Sequence, residues 1–123
     1  MILVDTSVWI DHLRQGDSSL KQLLAQAQVM CHPMVVGELA CGNLKSRSMV
    51  LALLADLPSA SVASEAEVLG FIQAQSLFGL GIGYVDVHLC ASAKLHGVHL
   101  WTRDKRLQAA AVRLGLAYAL ERH

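Results

Sequence analysis

The sequence lacks the features that mark several protein classes. Its longest unbroken apolar run, residues 49–55, is far shorter than the ~20 residues that cross a bilayer, so no membrane span is expected although 54% of the residues are apolar. The opening Met1-Ile2-Leu3-Val4-Asp5 has neither the charged n-region nor the long apolar stretch of a secretory leader, and the chain reads as cytoplasmic. Three cysteines, Cys31, Cys41 and Cys90, form no CxxC pair, and an odd count fits a reducing compartment better than a disulfide framework. All three are expected as small buried apolar residues. Gly79, Gly81 and Gly83 lack the G-x-G-x-x-G spacing and follow a predicted helix instead of a strand, which argues against a nucleotide-binding loop. No repeat, linker or low-complexity segment divides the 123 residues, which are expected to form one domain over 1–123 with its own core.

Net charge is absent too, because ten Lys and Arg balance ten Asp and Glu. A polyanion binder ordinarily carries a basic face. Distribution matters more than the sum: four acids gathered in one site would leave six against ten basic residues, and the remaining surface would be mildly basic.

What is present is a regular alternation of strands and helices. Residues 2–4 read as a strand ending at Asp5, and Val8, Trp9, Ile10 and Leu13 recur at helical spacing behind Thr6-Ser7 as cap. Leu20, Leu23, Leu24 and Ala27 predict a second helix behind Ser18-Ser19, and residues 29–32 a second strand. Pro33 opens a helix with Val35, Val36, Leu39 and Ala40 as its apolar stripe and Glu38 on its flank, ending near Gly42-Asn43. Further helices are predicted over 49–57, over 65–78 with Val68, Leu69, Ile72 and Leu77 inward, over 85–95 closed by Gly97, and through Leu107, Ala110, Ala111 and Leu114. Strands are predicted at 61–63, 99–102 and 116–120. Such alternation implies an α/β domain with a parallel sheet covered on both faces. Trp9 and Trp101 follow the apolar pattern and are expected in the core.

Three acids take matching places: Asp5 just after a strand, Asp104 two residues after another, and Asp86 at a helix start. Ligands of open parallel sheets bind beyond the carboxyl ends of the strands, so Asp5 and Asp104 should project into one crevice, with Asp86 and Glu38 supplied from helices. Two carboxylates ~5 Å apart repel by about 3 kcal/mol at an effective dielectric near 20. Four of them would strain a domain whose whole stability is ~5–15 kcal/mol, and a bound dication would relieve the strain. Oxygen ligands without a His or Cys grouping favour Mg²⁺ or Mn²⁺ over Zn²⁺. Such an ion lowers the pKa of a bound water and neutralises charge on a phosphodiester. Taken singly, however, an aspartate at a helix start is ordinarily an N-cap and a lone Glu on a helix flank is solvated.

The wording around each acid decides between these readings. The stretches Val4-Asp5-Thr6-Ser7-Val8-Trp9-Ile10-Asp11, Val36-Gly37-Glu38-Leu39 with Gly42, Gly83-Tyr84-Val85-Asp86-Val87-His88-Leu89 with Ala91 and Ala93, and Leu100-Trp101-Thr102-Arg103-Asp104-Lys105-Arg106-Leu107 occur in this order over essentially the whole chain. Together they resemble the PIN-domain nucleases, and among these the VapC toxins of bacterial toxin-antitoxin pairs. The resemblance implies a single three-layer α/β/α domain around a central parallel sheet, with Asp5, Glu38, Asp86 and Asp104 as the metal-binding catalytic acids. It implies that Thr6 and Thr102 hold a ligand carboxylate or a metal-bound water. It also implies RNA as substrate, Mg²⁺ or Mn²⁺ as cofactor, a cognate antitoxin that covers the site, a homodimer, and no membrane partner. Arg103, Lys105 and Arg106 flank Asp104 and, with Arg14, are expected to meet RNA phosphates. Asp11 is expected as a surface or hydrogen-bonding group, and the six histidines, His88 among them, as structural or exposed. Pro33 just ahead of the second motif and the three-glycine loop before Asp86 depart from the family pattern and reshape the approach to the site. Two other functions fit the same acids: a DNA nuclease or other metal-dependent phosphoester hydrolase, and a non-catalytic RNA- or protein-binding module. The first strand end has no Asp-x-Asp pair, which disfavours a phosphatase, and the presence of all four acids disfavours the binding module.

Overall fold

Ile2, Leu3 and Val4 are apolar at consecutive positions, the pattern of a strand buried on both faces, and in the computed structural model, described for residues 1–119, all three are buried as strand β1 (Ile2–Val4). Strands β2 (Val29–Met30) and β3 (His99–Trp101) flank it in the order β2-β1-β3, both parallel to it. The register pairs Leu3 with Met30 and Leu100, and Val4 with Trp101. Parallel neighbours require long crossovers, which helices supply. These are α1 (Thr6–Gln15), α2 (Ser18–Ala25), α3 (Pro33–Ala40), α4 (Arg47–Ala55), α5 (Glu65–Gln75), α6 (Tyr84–His96) and α7 (Lys105–Arg113).

The core gathers Leu3 and Val4 of β1 with Val8 from α1, Leu20 from α2, Val35 from α3, Leu89 from α6, Leu100 from β3 and Leu107 from α7. A smaller cluster of Ala63, Val68, Leu77, Val87 and Ala91 lies where α5 meets α6. Trp9 and Trp101 are both buried, as the apolar pattern requires. Among the described residues no helix is long and apolar enough to cross a membrane.

The structure corrects the sequence reading at several element ends. Asp5, not Thr6-Ser7, is the N-cap of α1, and Asp17, not Ser18-Ser19, caps α2 by accepting the Leu20 N–H at 2.9 Å. A carboxylate one residue upstream out-competes a hydroxyl for the free N–H groups of a first turn, because the helix macrodipole adds to the hydrogen bond. The second strand stops at Met30: Cys31 makes an isolated bridge to Ser59, and His32 turns the chain into α3. Residues 61–63 form no strand, since the pairing with Cys31 lies two residues earlier. The strand expected at 116–120 is reduced to one bridge between Leu100 and Ala117, and Leu120 lies outside the described residues. Leu69 is 54% exposed, because α5 sits at the rim and only its Val68 side reaches the core. Cys41 is exposed at the end of α3, whereas Cys31 and Cys90 are buried.

The loop before α6 turns through Gly79 and Gly81 at φ +72° and +76°. A Cβ at Gly81 would stand 2.7 Å from Nη1 of Arg106, so the glycine admits both a left-handed turn and the guanidinium resting on it. Gly81→Ala is expected to lower stability by about 1–2 kcal/mol, measured as a shift in the urea midpoint at unchanged slope.

Candidate active site

The sheet carries its strand ends to one place. The Asp5 N–H donates to the Trp101 carbonyl at 2.9 Å, which sets the residue after β1 beside the residues after β3. Asp5 is buried, with 6% of its surface exposed, so its charge needs donors. Its Oδ2 accepts the hydroxyls of Ser7 and Thr102, each at 2.7 Å, and the Ser7 N–H at 3.4 Å. Thr102 Oγ1 accepts the Asp104 N–H at 3.1 Å, and Ser7 Oγ accepts the Arg103 N–H at 3.0 Å. Two hydroxyls thereby fix one buried carboxylate and the loop that carries the next acid.

The other acids are built in the same way. Asp104 caps α7, its Oδ1 accepting the N–H groups of Arg106 and Leu107, each at 2.9 Å. Asp86 stands in the first turn of α6, its Oδ2 accepting the Gly83 N–H at 3.0 Å. Glu38 reaches from α3, and its Oε1 accepts the Thr6 hydroxyl at 2.7 Å. Cap and site are therefore not alternatives. In each carboxylate one oxygen serves the fold, and the other takes no hydrogen bond from any described residue. Among the described residues the ion pairs are those of Arg103 alone, and no cationic side chain stands within 4 Å of any of the four acids.

The acids share one electrostatic field. Burial pushes the Asp86 carboxyl above the usual range; the Gly83 N–H pulls it back, and the charges of Asp5, Asp104 and Glu38 push it up further. Cys90, one turn along α6, is pushed up to about 12 by its burial and by Asp86 and Asp5. The cluster is open: among the described residues no three acid, His or Cys side chains already close around an ion. Its free donors are all hard carboxylate oxygens, a set suited to an alkaline-earth ion or Mn²⁺ and not to Zn²⁺.

The expected cations divide in function. Arg103 is committed: Nη1 pairs with Asp11 at 2.7 Å, Nη2 pairs with Asp17, and its guanidinium lies 5.5 Å from the Trp101 ring centre. It ties the β3–α7 loop to α1 and to the cap of α2, and its charge is largely spent there. Asp11 is the hydrogen-bonding group expected of it. Arg106 rests against Gly81, Lys105 is exposed at the start of α7, and Arg14 lines a cleft of about 440 Å³ with Glu38, Asn43 and Lys45. Ser7, which the sequence pattern marks only as part of a helix cap, holds the buried carboxylate of the site. Its signal was its place two residues after Asp5, within reach of an Asp side chain that turns back on its own backbone.

The chain matches the PIN domain family over residues 2–113. It is 50% identical over 122 residues to a protein named Ribonuclease VapC32 in each of two strains of Mycobacterium tuberculosis, with 98% of both chains covered in each case. Among solved structures it is similar to FitAB bound to an IR36 DNA fragment, with a TM-score of 0.67, 23% identity and coverage of 100% of this chain and 99% of that one. It is also similar to FitAcB from Neisseria gonorrhoeae, with a TM-score of 0.63, 26% identity and coverage of 91% of this chain and 94% of that one.

Proposed function

Because the chain belongs to the PIN-domain family, in its VapC branch, we propose that it is a metal-dependent endoribonuclease and the toxin of a toxin-antitoxin pair. The observation that carries this reading is the set of four carboxylates, each with one oxygen fixed by the fold and one free, and with no described cation to balance them. PIN nucleases use a divalent metal; here Asp5, Glu38, Asp86 and Asp104 would hold Mg²⁺ or Mn²⁺. When bound, the ion would lower the pKa of a water and neutralise charge developing on the scissile phosphodiester.

The chain's own residues set the stage for that chemistry. Ser7 and Thr102 anchor Oδ2 of Asp5, which fixes the rotamer and leaves Oδ1 without a hydrogen bond from any described residue. Thr6 does the same for Glu38. Lys105 and Arg106 follow Asp104 on exposed positions and Arg14 shares a cleft with Glu38; these three would draw the RNA backbone in, while Arg103 supports the loop and contributes little free charge. A cognate antitoxin covering the site, a homodimer and a cytoplasmic location complete the proposal by analogy with the VapC branch.

Incubating the purified protein in Mn²⁺ with RNA, with DNA and with a phosphate monoester tests it. Cleavage of RNA is expected, with the monoester untouched. Cleavage of DNA alone, or of the monoester alone, would contradict the ribonuclease reading.

A further inference from the structure

Three buried polar residues, His32, His88 and Ser92, lie outside the carboxylate cluster, and two of them are joined to each other. His32 and Ser92 both have 0% of their surface exposed, and His32 Nε2 lies 3.0 Å from Ser92 Oγ across sixty residues of sequence. Their hydrogen bonds fix every proton. The Met34 N–H donates to His32 Nδ1 at 3.0 Å, so the neutral ring carries its proton on Nε2. That proton points to Ser92 Oγ, because the Ser92 hydroxyl spends its own on the Ser61 carbonyl at 2.8 Å. The Ser61 N–H in turn donates to His96 Nε2 at 2.9 Å, so Ser61 is held on both sides from one face of α6.

A helix cap does not require this construction. Ser, Thr, Asp or Asn would satisfy the Met34 N–H with a smaller side chain and no buried ring, and a buried imidazole is unfavourable unless both nitrogens are paired. The ring adds reach, from the first turn of α3 to the middle of α6. Among the described residues no other hydrogen bond joins α3 to α6. The distances are matched. Glu38 lies six residues after His32 and Asp86 six residues before Ser92, so each acid is ~9 Å along its helix from the bond.

We propose that His32 and Ser92 are positioning residues, whose buried hydrogen bond sets the helix bearing Glu38 at a fixed distance from the helix bearing Asp86 and so holds the ion-binding gap. The proposal rests on the carboxylate reading given above. Neither residue touches substrate; both act through the acids at the far ends of their helices. Partners bonded directly to a metal ligand change metal affinity or activity by about 10–100-fold when removed, and this more distant bond is expected to act at the lower end of that range.

Two variants cut the same bond from opposite ends. Ser92→Ala removes the hydroxyl, and His32→Asn keeps an oxygen for the Met34 N–H while falling short of Ser92. With rates normalised to the folded fraction at 25 °C, each is expected to lower kcat on RNA and to raise the dissociation constant for Mn²⁺ itself, read without RNA from the paramagnetic resonance signal of free Mn²⁺, both by about tenfold. KM for RNA should stay within about twofold, since the groups proposed to meet the phosphates are not disturbed. The double variant should lose no more than either single, because one shared bond is lost once. An active parent whose two variants keep the parental kcat and Mn²⁺ dissociation constant would overturn the proposal. Loss of the fold in both would overturn it as well, the bond then serving stability alone. A parent that cleaves no RNA would instead overturn the carboxylate reading, and the positioning role would fall with it.

Discussion

Asp86→Asn is expected to leave the fold intact and to lower RNA cleavage in Mn²⁺ by about a thousandfold, the upper range for removing one preorganised charge-stabilising group. The amide keeps an oxygen for the Gly83 N–H, so the first turn of α6 is preserved. What disappears is the charge on a carboxyl whose pKa is raised by its burial and by its three neighbours. The same substitution removes a repulsion that no described cation offsets, so the metal-free variant should melt higher than the metal-free parent. Activity falling while stability rises separates loss of chemistry from loss of structure. Initial rates on a labelled RNA and a thermal scan in chelator measure the two.

Acidification supplies the second large effect. Lowering the pH from about 6.5 to about 4 is expected to remove about 2–3 kcal/mol of stability through His32. Burial pushes its pKa down to about 4, and the charges of His88 and His96 add to the shift. The unfolded chain therefore takes up the proton first. The contribution is complete above the ordinary histidine value, declines as the pH falls toward about 4, and is constant below that. The atoms give the same sign, because a protonated ring would set an N–H at Nδ1 against the Met34 N–H that it now accepts. Asp86 works in the opposite direction, since a carboxyl with a raised pKa is protonated in the folded state first. Urea unfolding between pH 7 and pH 4, compared with His32→Asn, isolates the histidine: the variant should lack this part of the slope.

The parts of the structure legible in the sequence are those that one short segment determines. Consecutive burial of Ile2, Leu3 and Val4, helical spacing behind Asp5, and Gly97 taking φ +63° at the end of α6 are local properties, and periodicity shows them. Cap assignments slipped by a residue at Asp5 and Asp17, since which oxygen meets the first turn depends on where the backbone bends. Residues 116–120 carry strand-like side chains, but among the described residues only the Leu100–Ala117 bridge forms at that edge. Around the acids, the residue types and their order were visible, and the family resemblance implied that Thr6 and Thr102 hold a ligand carboxylate or a metal-bound water, but not which carboxylate each meets. Thr6 holds Glu38 across 32 positions, and Thr102 holds Asp5 across 97. Arg103 looked like a free phosphate contact, yet Asp11 and Asp17 claim it from more than eighty positions away. The His32–Ser92 bond has no local signature at all, because each residue alone reads as an ordinary cap or helix serine.

We hold that the four carboxylates stand apart from every described cation of the chain so that a divalent ion can join them. Thermal unfolding of the parent and of an Asp5→Asn, Asp86→Asn double variant, with and without Mn²⁺, tests it most directly. At a Mn²⁺ concentration about a hundredfold above its dissociation constant the parent should gain about 2.7 kcal/mol, a rise in melting temperature of roughly 10 °C for a domain of this size, and the double variant should gain almost nothing. No rise in the parent, or an equal rise in both proteins, would contradict it.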